Sequence, residues 1–466
     1  MAQHSRKPYN LPAMLRCEAE EIAKYDEREE QYSQIIDVIT QYITKHEQHL
    51  RRYEYLEALY KGFHDIFLWP EKADWKPDHR LAVNFPRYMT ETFTGYGYGI
   101  PIKVTLPGEG EAVERTNAII QDFGKGNEID DHNSEMAKLA CIYGHAWEYL
   151  YQDEESETKI TACTPIELFC VYDDTIKGRA VFAIRYWYKL DQDGLVEGRV
   201  GEMFTRNYIY RFAEGQITER VENPYGYIPV VEWRLNDERI GLYEMVAGLI
   251  EAYNAAIGEK ANDIEAFAEA YLAIFGAPLS DEQVQAIRDN RVMNVYDTDG
   301  SPNVHAEFLA RPAADSSQEH LLDRLENLIY ETSMVANISD DSFGNSTSGV
   351  ALQYKLQAMS NLAQTFDRKI EKSMKKRYKI FCAMPANGVD PDTYRDLEII
   401  FTRNIPENIL EEINAAKELT GIVSQETQLS RLSFVRDVKT EVEKINDELA
   451  QRMSSLGFGG DTNGTE

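Results

Sequence analysis

"DERIGLYEMVAGLIEAYNAAIGEKANDIEAFAEAYLAIFG", residues 237–276, is the longest proline-free apolar pattern bearing on the fold. Leu242, Met245, Val246, Leu249, Ile250, Tyr253, Ile257, Ile264, Phe267 and Tyr271 recur at three- and four-residue spacing. That period predicts one amphipathic helix over Asp237–Gly276, about eleven turns long. Between Asp237 and Ala270 there are eight acids against Arg239 and Lys260. The polar face is therefore negative, with Glu244, Glu251, Glu259 and Asp263 as its acidic line.

A second helix is predicted over Ser317–Ile338 from Leu321, Leu322, Leu325, Leu328, Ile329 and Val335. Between the two lies a short segment that reads as a small helix (Asp281–Asp289), a strand, a turn at Asp299-Gly300 and another strand. Two long helices bracketing a compact α/β insertion make a stalk that carries a tip.

Immediately beyond stands "FGNSTSGVA", residues 343–351, with Gly344 and Gly349 spaced as in a phosphate-binding loop. Val350 and Ala351 occupy the positions where that motif needs its lysine and magnesium-holding hydroxyl. The next lysine is Lys355, Asp340 and Asp341 lie just upstream, and a helix precedes where a strand should. A nucleotide site is therefore disfavoured. A loop of Gly, Ser and Asn between long helices suits an element that rearranges at little strain. Ser346, Thr347 and Ser348 are candidate N-caps for a third helix running through "VALQYKLQAMSNLAQTFDRKIEKSMKKRYKIFCAM". Its basic run, Lys372, Lys375, Lys376, Arg377 and Lys379, reads as a solvated face beside the C-terminal dipole, with a DNA or partner contact as the alternative.

Toward the N-terminus the pattern changes. Cys17–Ala58 has helical spacing, as has the stretch before Gly95-Tyr96-Gly97-Tyr98-Gly99, whose glycines are expected to end that helix ahead of a strand near Pro101. Residues 112–150 read as helical. "KITACTPIELFCVYDD", "RAVFAIRYWYKL" and "GEMFTRNYIYRFA" alternate with aromatic and β-branched residues, which predicts antiparallel strands. After Pro385, "LEIIFTRNIP" reads as a strand, followed by helices over Glu407–Leu419, Glu426–Leu432 and Val435–Met453 and a polar glycine-rich tail. The fold class is α+β.

The 466 residues hold a sizeable core, and no apolar run is long enough for a membrane span, so no membrane is expected. The start lacks the apolar segment of a signal peptide, which points to the cytoplasm. Five cysteines without a C-x-x-C pair read as isolated thiols. Seventy-nine acids against 49 basic side chains give a formal charge of −30, which argues against a surface that grips DNA tightly. Nine histidines form no H-x-x-x-H or H-E-x-x-H spacing, and the acidic pairs Asp130-Asp131 and Asp173-Asp174 read as surface turns. Neither a metal, a cofactor nor a catalytic constellation is expected.

The order of parts resembles the portal proteins of tailed bacteriophages, in the branch typified by long-tailed phages of Gram-positive hosts. The residues that carry the likeness are "NFPRYMTETFTGYGYGIPIKV", "CIYGHAWEYLYQDEE", "TACTPIELFCVYDD", "NPYGYIPVVEWRLND", "LIEAYNAAIGEKANDIEAFAEAYLAIFG", "FGNSTSGVALQYKLQAM", "LEIIFTRNIPEN" and "SQETQLSRLSFVRDVKTEVEKINDE". The resemblance implies a non-enzymatic homo-oligomeric ring of about twelve subunits. Through it double-stranded DNA would pass non-specifically during packaging and ejection, in the virion at the capsid portal vertex after assembly in the host cytoplasm. It implies a wing (1–236 and 349–404), a stem of two helices (237–276 and 313–338), a clip (277–312), a tunnel loop (339–348), a helical crown (405–453) and a disordered tail (454–466). The tunnel loop would bring Asp340, Asp341, Ser342, Phe343, Gly344, Asn345, Ser346 and Thr347 to the DNA. Glu244, Glu251, Glu259 and Asp263 would line the channel. The clip, through Asp281, Glu282, Arg288, Arg291, Asp297 and Asp299, would dock the terminase large subunit and later a head-completion or adaptor protein. Major capsid and scaffolding proteins are the other implied partners. A different oligomeric phage scaffold is the alternative, with a nucleotide-binding enzyme behind it.

Overall fold

A computed structural model describes residues 14–17, 32–73, 76–190, 193–268, 271–275, 292–295, 305–309, 315–338, 349–404 and 416–430. It also describes positions 432, 435, 438, 441, 442 and 444–448. The chain divides into two compact units, Met1–Asn337 with Gln357–Arg403, and Ile338–Leu356 with Asn404–Glu466.

The first unit begins with strand β1 (Arg16–Cys17) and helix α1 (Tyr32–Tyr60); of the helical pattern expected over Cys17–Ala58, residues 18–31 lie outside the described residues. Helix α2 (Phe85–Tyr98) opens on the Asn84 side chain, which accepts from the Arg87 amide at 3.0 Å, with Pro86 in its first turn. It runs through Gly95 and Gly97 and ends at Gly99, the last glycine of the run expected to end it. Strand β2 (Lys103–Thr105) and helices α3 (Glu111–Gly126) and α4 (Ile129–Tyr143) follow. Gly144 ends α4 at φ +84°, where a Cβ would sit 2.1 Å from the Arg239 carbonyl oxygen. The next eight residues turn into a strand there, so the helical reading of residues 112–150 holds only as far as Tyr143.

Strands β3 (His145–Gln152), β4 (Thr158–Cys163), β5 (Leu168–Asp173), β6 (Ala180–Leu190), β7 (Val196–Phe204), β8 (Tyr208–Ala213), β9 (Gln216–Glu222) and β10 (Val230–Arg234) form two sheets. One is ordered β1-β5-β6-β7-β8-β9 and the other β10-β3-β4. Side-chain alternation sorts the layers. Phe169, Val171, Phe182, Ile184 and Tyr186 pack against Ile35, Ile39, Tyr42 and Ile43 of α1. Leu168, Cys170 and Ala183, one position out of phase, face Trp147, Cys163 and Val230 of the smaller sheet.

The stretch at Asp237 does not begin as a helix. Arg239 has φ +59°, and Gly241 lies so near α4 that a Cβ would meet the Ile142 carbonyl oxygen at 2.6 Å. Asn236 closes this turn by bonding both the amide and the carbonyl of Ile240, each at 2.8 Å. A 3₁₀ turn (Glu244–Val246) leads into helix α5 (Ala247–Ala268). The end is corrected too, because "YLAIF", rich in β-propensity, forms strand β11 (Tyr271–Phe275). β11 is the central strand between β12 (Val292–Val295, parallel) and β13 (His305–Leu309, antiparallel). The two strands expected in the insertion are present, and the third came from the stretch read as helix.

Helix α6 (Asp315–Ser333) packs along α5, and helix α7 (Gly349–Ala383) begins at the second glycine of the 343–351 motif. Within the first unit α7 buries Met359, Ala363, Phe366, Ile370, Met374, Arg377 and Phe381, a stripe at helical period. Strand β14 (Glu398–Ile400) pairs with β2. In the second unit, helix α8 (Gln425–Leu429) is capped by Ser424, whose hydroxyl accepts from the Thr427 amide. Most of the expected crown helices lie outside the described residues. No helix is long and apolar enough to cross a membrane among the described residues.

Candidate functional site

The helix pair α5/α6 is the candidate site, and a strap formed by residues 63–83 fixes α5 along its length. Asn254 Oδ1 accepts from the Val83 amide at 2.8 Å. Asn262 Oδ1 accepts from the His79 amide. Between them Gly258 admits the strap, since a Cβ there would stand 2.8 Å from Ile66 Cδ1 and 3.1 Å from the His79 carbonyl. Phe85 meets Tyr253 and Tyr330 edge-on, at 5.0 and 5.9 Å between centroids, tying both helices to the start of α2.

The acids expected to line a channel are engaged within the chain. Glu244 lies in the 3₁₀ turn, not on the helix. Its carboxylate is buried against Arg52 (Nε to Oε1, 2.6 Å) and also accepts from the Gly241 amide at 2.8 Å. Glu251 accepts from the Asp65 amide at 3.1 Å and stands 3.0 Å from His64 Nδ1. Glu259, about half exposed, pairs with Lys72 at 2.7 Å. Asp263 accepts from Gln318 of α6 at 3.0 Å. The negative face seen in the sequence therefore holds the strap and the second helix. The exposed face of α5 and its lead-in carries Met245, Gly248, Ala252, Glu259, Ile264 and Glu265. The tunnel-loop residues Asp340–Thr347 and the clip residues Asp281, Glu282, Arg288, Arg291, Asp297 and Asp299 lie outside the described residues.

Sequence reasoning missed the strap's own surface. Phe63 (69% exposed), Phe67, Leu68 (83% exposed), Trp69, Leu81 and Val83 place six large apolar side chains in water beside α5. The signal was present in "GFHDIFLWP", an apolar cluster with neither helical nor alternating period.

It also misread the basic run of α7. Arg377 is wholly buried and grips Glu148 of β3, itself wholly buried. Its Nε lies 2.8 Å from Oε1, and Nη2 reaches Oε2 and, at 2.9 Å, Asn133. Trp233 Nε1 donates to the same carboxylate at 3.1 Å, and His132 Nε2 lies 3.2 Å away. Burial alone would raise the Glu148 pKa. The charge and hydrogen bonds of Arg377, with His132, reverse that and hold it at about 2. Lys376 donates to the Val230 carbonyl at 2.9 Å.

Among the described residues no group of three or more His, Cys, Asp or Glu side chains could hold a metal ion. Asp130 and Asp131 start α4. Asp173 is buried and accepts from Thr175 and the Arg179 amide, so it is not the surface turn its sequence suggested. The five cysteines are buried and form no disulfide among the described residues, and burial pushes Cys163 and Cys170 up to about 12, away from thiolate chemistry.

Residues 39–455 match the family described as phage portal protein, SPP1 Gp6-like. The chain is 22% identical over 413 residues to the portal protein of Bacillus phage SPP1, covering 82% of this chain and 79% of that one. It is also 22% identical over 396 residues to the portal protein of Clostridium phage phiCD119, covering 79% and 84%. Among solved structures, the neck of an empty GTA particle covers 74% of this chain and 88% of its own at 12% identity. Its TM-score is 0.41.

Proposed function

The chain belongs to the SPP1 Gp6-like family of phage portal proteins, and from that premise we propose that copies of it close into a ring whose channel passes genome DNA during packaging and ejection. The carrying observation is the α5/α6 pair, held by the strap, with the β12-β11-β13 sheet inserted between the two helices in sequence. On this reading α5 and α6 are the stem. Tyr271–Phe275 moves from the stem to the clip, where the terminase large subunit and then a head-completion protein dock. Residues 339–348 are the tunnel loop, residues 1–236 and 349–404 the wing, and 405–453 the crown. Major capsid and scaffolding proteins meet the ring at the virion's portal vertex, after assembly in the host cytoplasm.

Duplex DNA carries one charge per about 1.7 Å of axis, so a basic channel would hold it and an acidic one lets it slide. With Glu244 and Glu251 engaged inside the chain, the exposed carboxylates of the pair that would meet the DNA are Glu259, Glu265 and Glu319, which also pair with Lys72, His79 and Lys260, and Asp323 and Glu331 of α6. Deleting Asp341–Asn345 is expected to leave rings intact and abolish packaging in a terminase-driven assay. Normal packaging by that variant would sink the tunnel-loop assignment.

The strap's apolar surface supports assembly, because contiguous exposed apolar patches of this kind mark contact sites. The double variant Phe63→Asp, Leu68→Asp is expected to yield monomers in electron micrographs, with monomer stability changed by only about 0.5 kcal/mol, since both side chains are exposed in one copy. Rings at wild-type yield would remove this patch from the interface.

A further inference from the structure

A cleft of about 390 Å³ opens between the β5–β6 turn, strand β10 and helix α7. Seven cations line it. Three have carboxylate partners: Arg239 with Glu232 at 2.6 Å, Lys369 with Asp237 at 2.6 Å and Arg234 with Asp237 at 3.5 Å. Arg16, Lys177, Lys372 and Lys376 have no carboxylate within ion-pair distance among the described residues. Four such cations in one cleft, on a chain of formal charge −30, mark a place for an anion from outside. The volume is that of a pocket for side chains or a small ligand. A duplex, whose major groove alone is about 12 Å wide, could touch only the rim.

The same unit carries a matching projection. In the β3–β4 turn, Asp153 Oδ1 accepts from the amides of Glu155 at 3.2 Å and Glu157 at 2.7 Å, which fixes the turn. Lys159 pairs with Asp153 and Glu157. Glu154 and Glu155 are exposed and have no cation within ion-pair distance among the described residues. This turn cannot serve its own cleft. β10 places Glu232 opposite Trp147, and Asp153 lies six residues further along β3, about 20 Å at a strand's rise of 3.4 Å per residue. Complementary patches at opposite ends of one sheet suit a head-to-tail contact, the kind that closes into a ring.

We propose that Glu154 and Glu155 of one copy enter the cleft of the next and pair there with Arg16, Lys177, Lys372 and Lys376. The contact rests on the ring reading above. Lys177→Glu with Lys372→Glu is expected to lower ring yield in low salt about tenfold, as is Glu154→Lys with Glu155→Lys, and combining all four restores it. Separately, Glu155→Cys with Lys372→Cys should give a ladder of disulfide-linked oligomers on oxidation, undisturbed by the five buried native cysteines. Thermal melts of the variant monomers separate lost assembly from lost folding. Wild-type yield in both reversals, with no ladder, overturns the contact and leaves the ring reading standing. Unchanged assembly with loss of duplex binding by the cleft variant overturns it in favour of DNA phosphates. A wild-type chain that forms no ring at any salt overturns the ring reading, and this contact with it.

Discussion

Arg377→Met is expected to destabilise the chain by about 3–5 kcal/mol in urea titrations, because it takes the guanidinium from Glu148 in a dry interior and leaves only Trp233 and His132 beside the carboxylate. Both side chains of the pair are wholly buried. Arg377 also lies over the Trp233 ring at 5.2 Å, so its loss removes a stacking contact as well as a charge. The effect should be non-additive. Glu148→Gln alone strands the guanidinium, whereas Glu148→Gln with Arg377→Met strands no charge and recovers part of the loss. The pair is not an optimised source of stability, since Arg377 Nη1 has no hydrogen-bond partner among the described residues. Its effect is to fix one register between α7 and β3, which lie 229 residues apart in the chain. For the proposed function this matters because α7 begins where the proposed tunnel loop ends. A loss below about 1 kcal/mol for Arg377→Met would show the site relaxing to admit water, and the registering role would fall.

That pair also shows where sequence reading reaches its limit. Period alone placed α7, the alternating strands and α6, which ends at Ser333 and not at the expected Ile338, because each needs only the local spacing of apolar residues. Arg377 occupies an apolar-phase position in the stripe Phe366, Ile370, Met374 and Phe381, and Glu148 one between Ala146 and Leu150. A charge in an apolar phase was the available clue, but its partner across 229 residues was not visible. The ends of α5 were misjudged for a similar reason. Gly241 and Gly258 fall within the stretch read as one helix, and only the approach of α4 and of the strap reveals the room they leave. The acidic line on α5 was legible as residues but not as a role, since Arg52, His64 and Lys72, which engage it, come from the first 80 residues. The portal resemblance was legible because it lies in the order of many segments, each individually weak.

Acid should weaken the chain well above the carboxylate range. His46 stacks on Phe169 at 4.3 Å, donates from Nε2 to the Pro165 carbonyl at 2.8 Å and accepts at Nδ1 from the Tyr186 hydroxyl at 3.0 Å. His145 is enclosed by Tyr53 and Trp147, with no hydrogen-bond partner for Nδ1 among the described residues. Burial lowers His46 from 6.5 to about 4, against the smaller raising effect of Pro165, and lowers His145 to about 3. Half-buried His49, beside Arg52, shifts the same way. Below pH 6.5 the unfolded chain takes up these protons and the folded chain does not, so stability present above 6.5 is lost as pH falls toward 4 and 3. At pH 5 the two buried histidines together remove about 4 kcal/mol relative to pH 7.5, at 1.36 kcal/mol per pKa unit. Glu148, held at about 2, adds its own loss only below its ordinary value of 4.5. Urea titrations at pH 7.5, 6 and 5 separate the two groups, since a decline driven by carboxylates alone would be flat above pH 5. His46→Gln with His145→Gln should flatten the slope between pH 6.5 and 5 whatever it does to absolute stability, and an unchanged slope would refute the assignment. Rings that fall apart at pH 5 would then report unfolding around α1 and the six-stranded sheet.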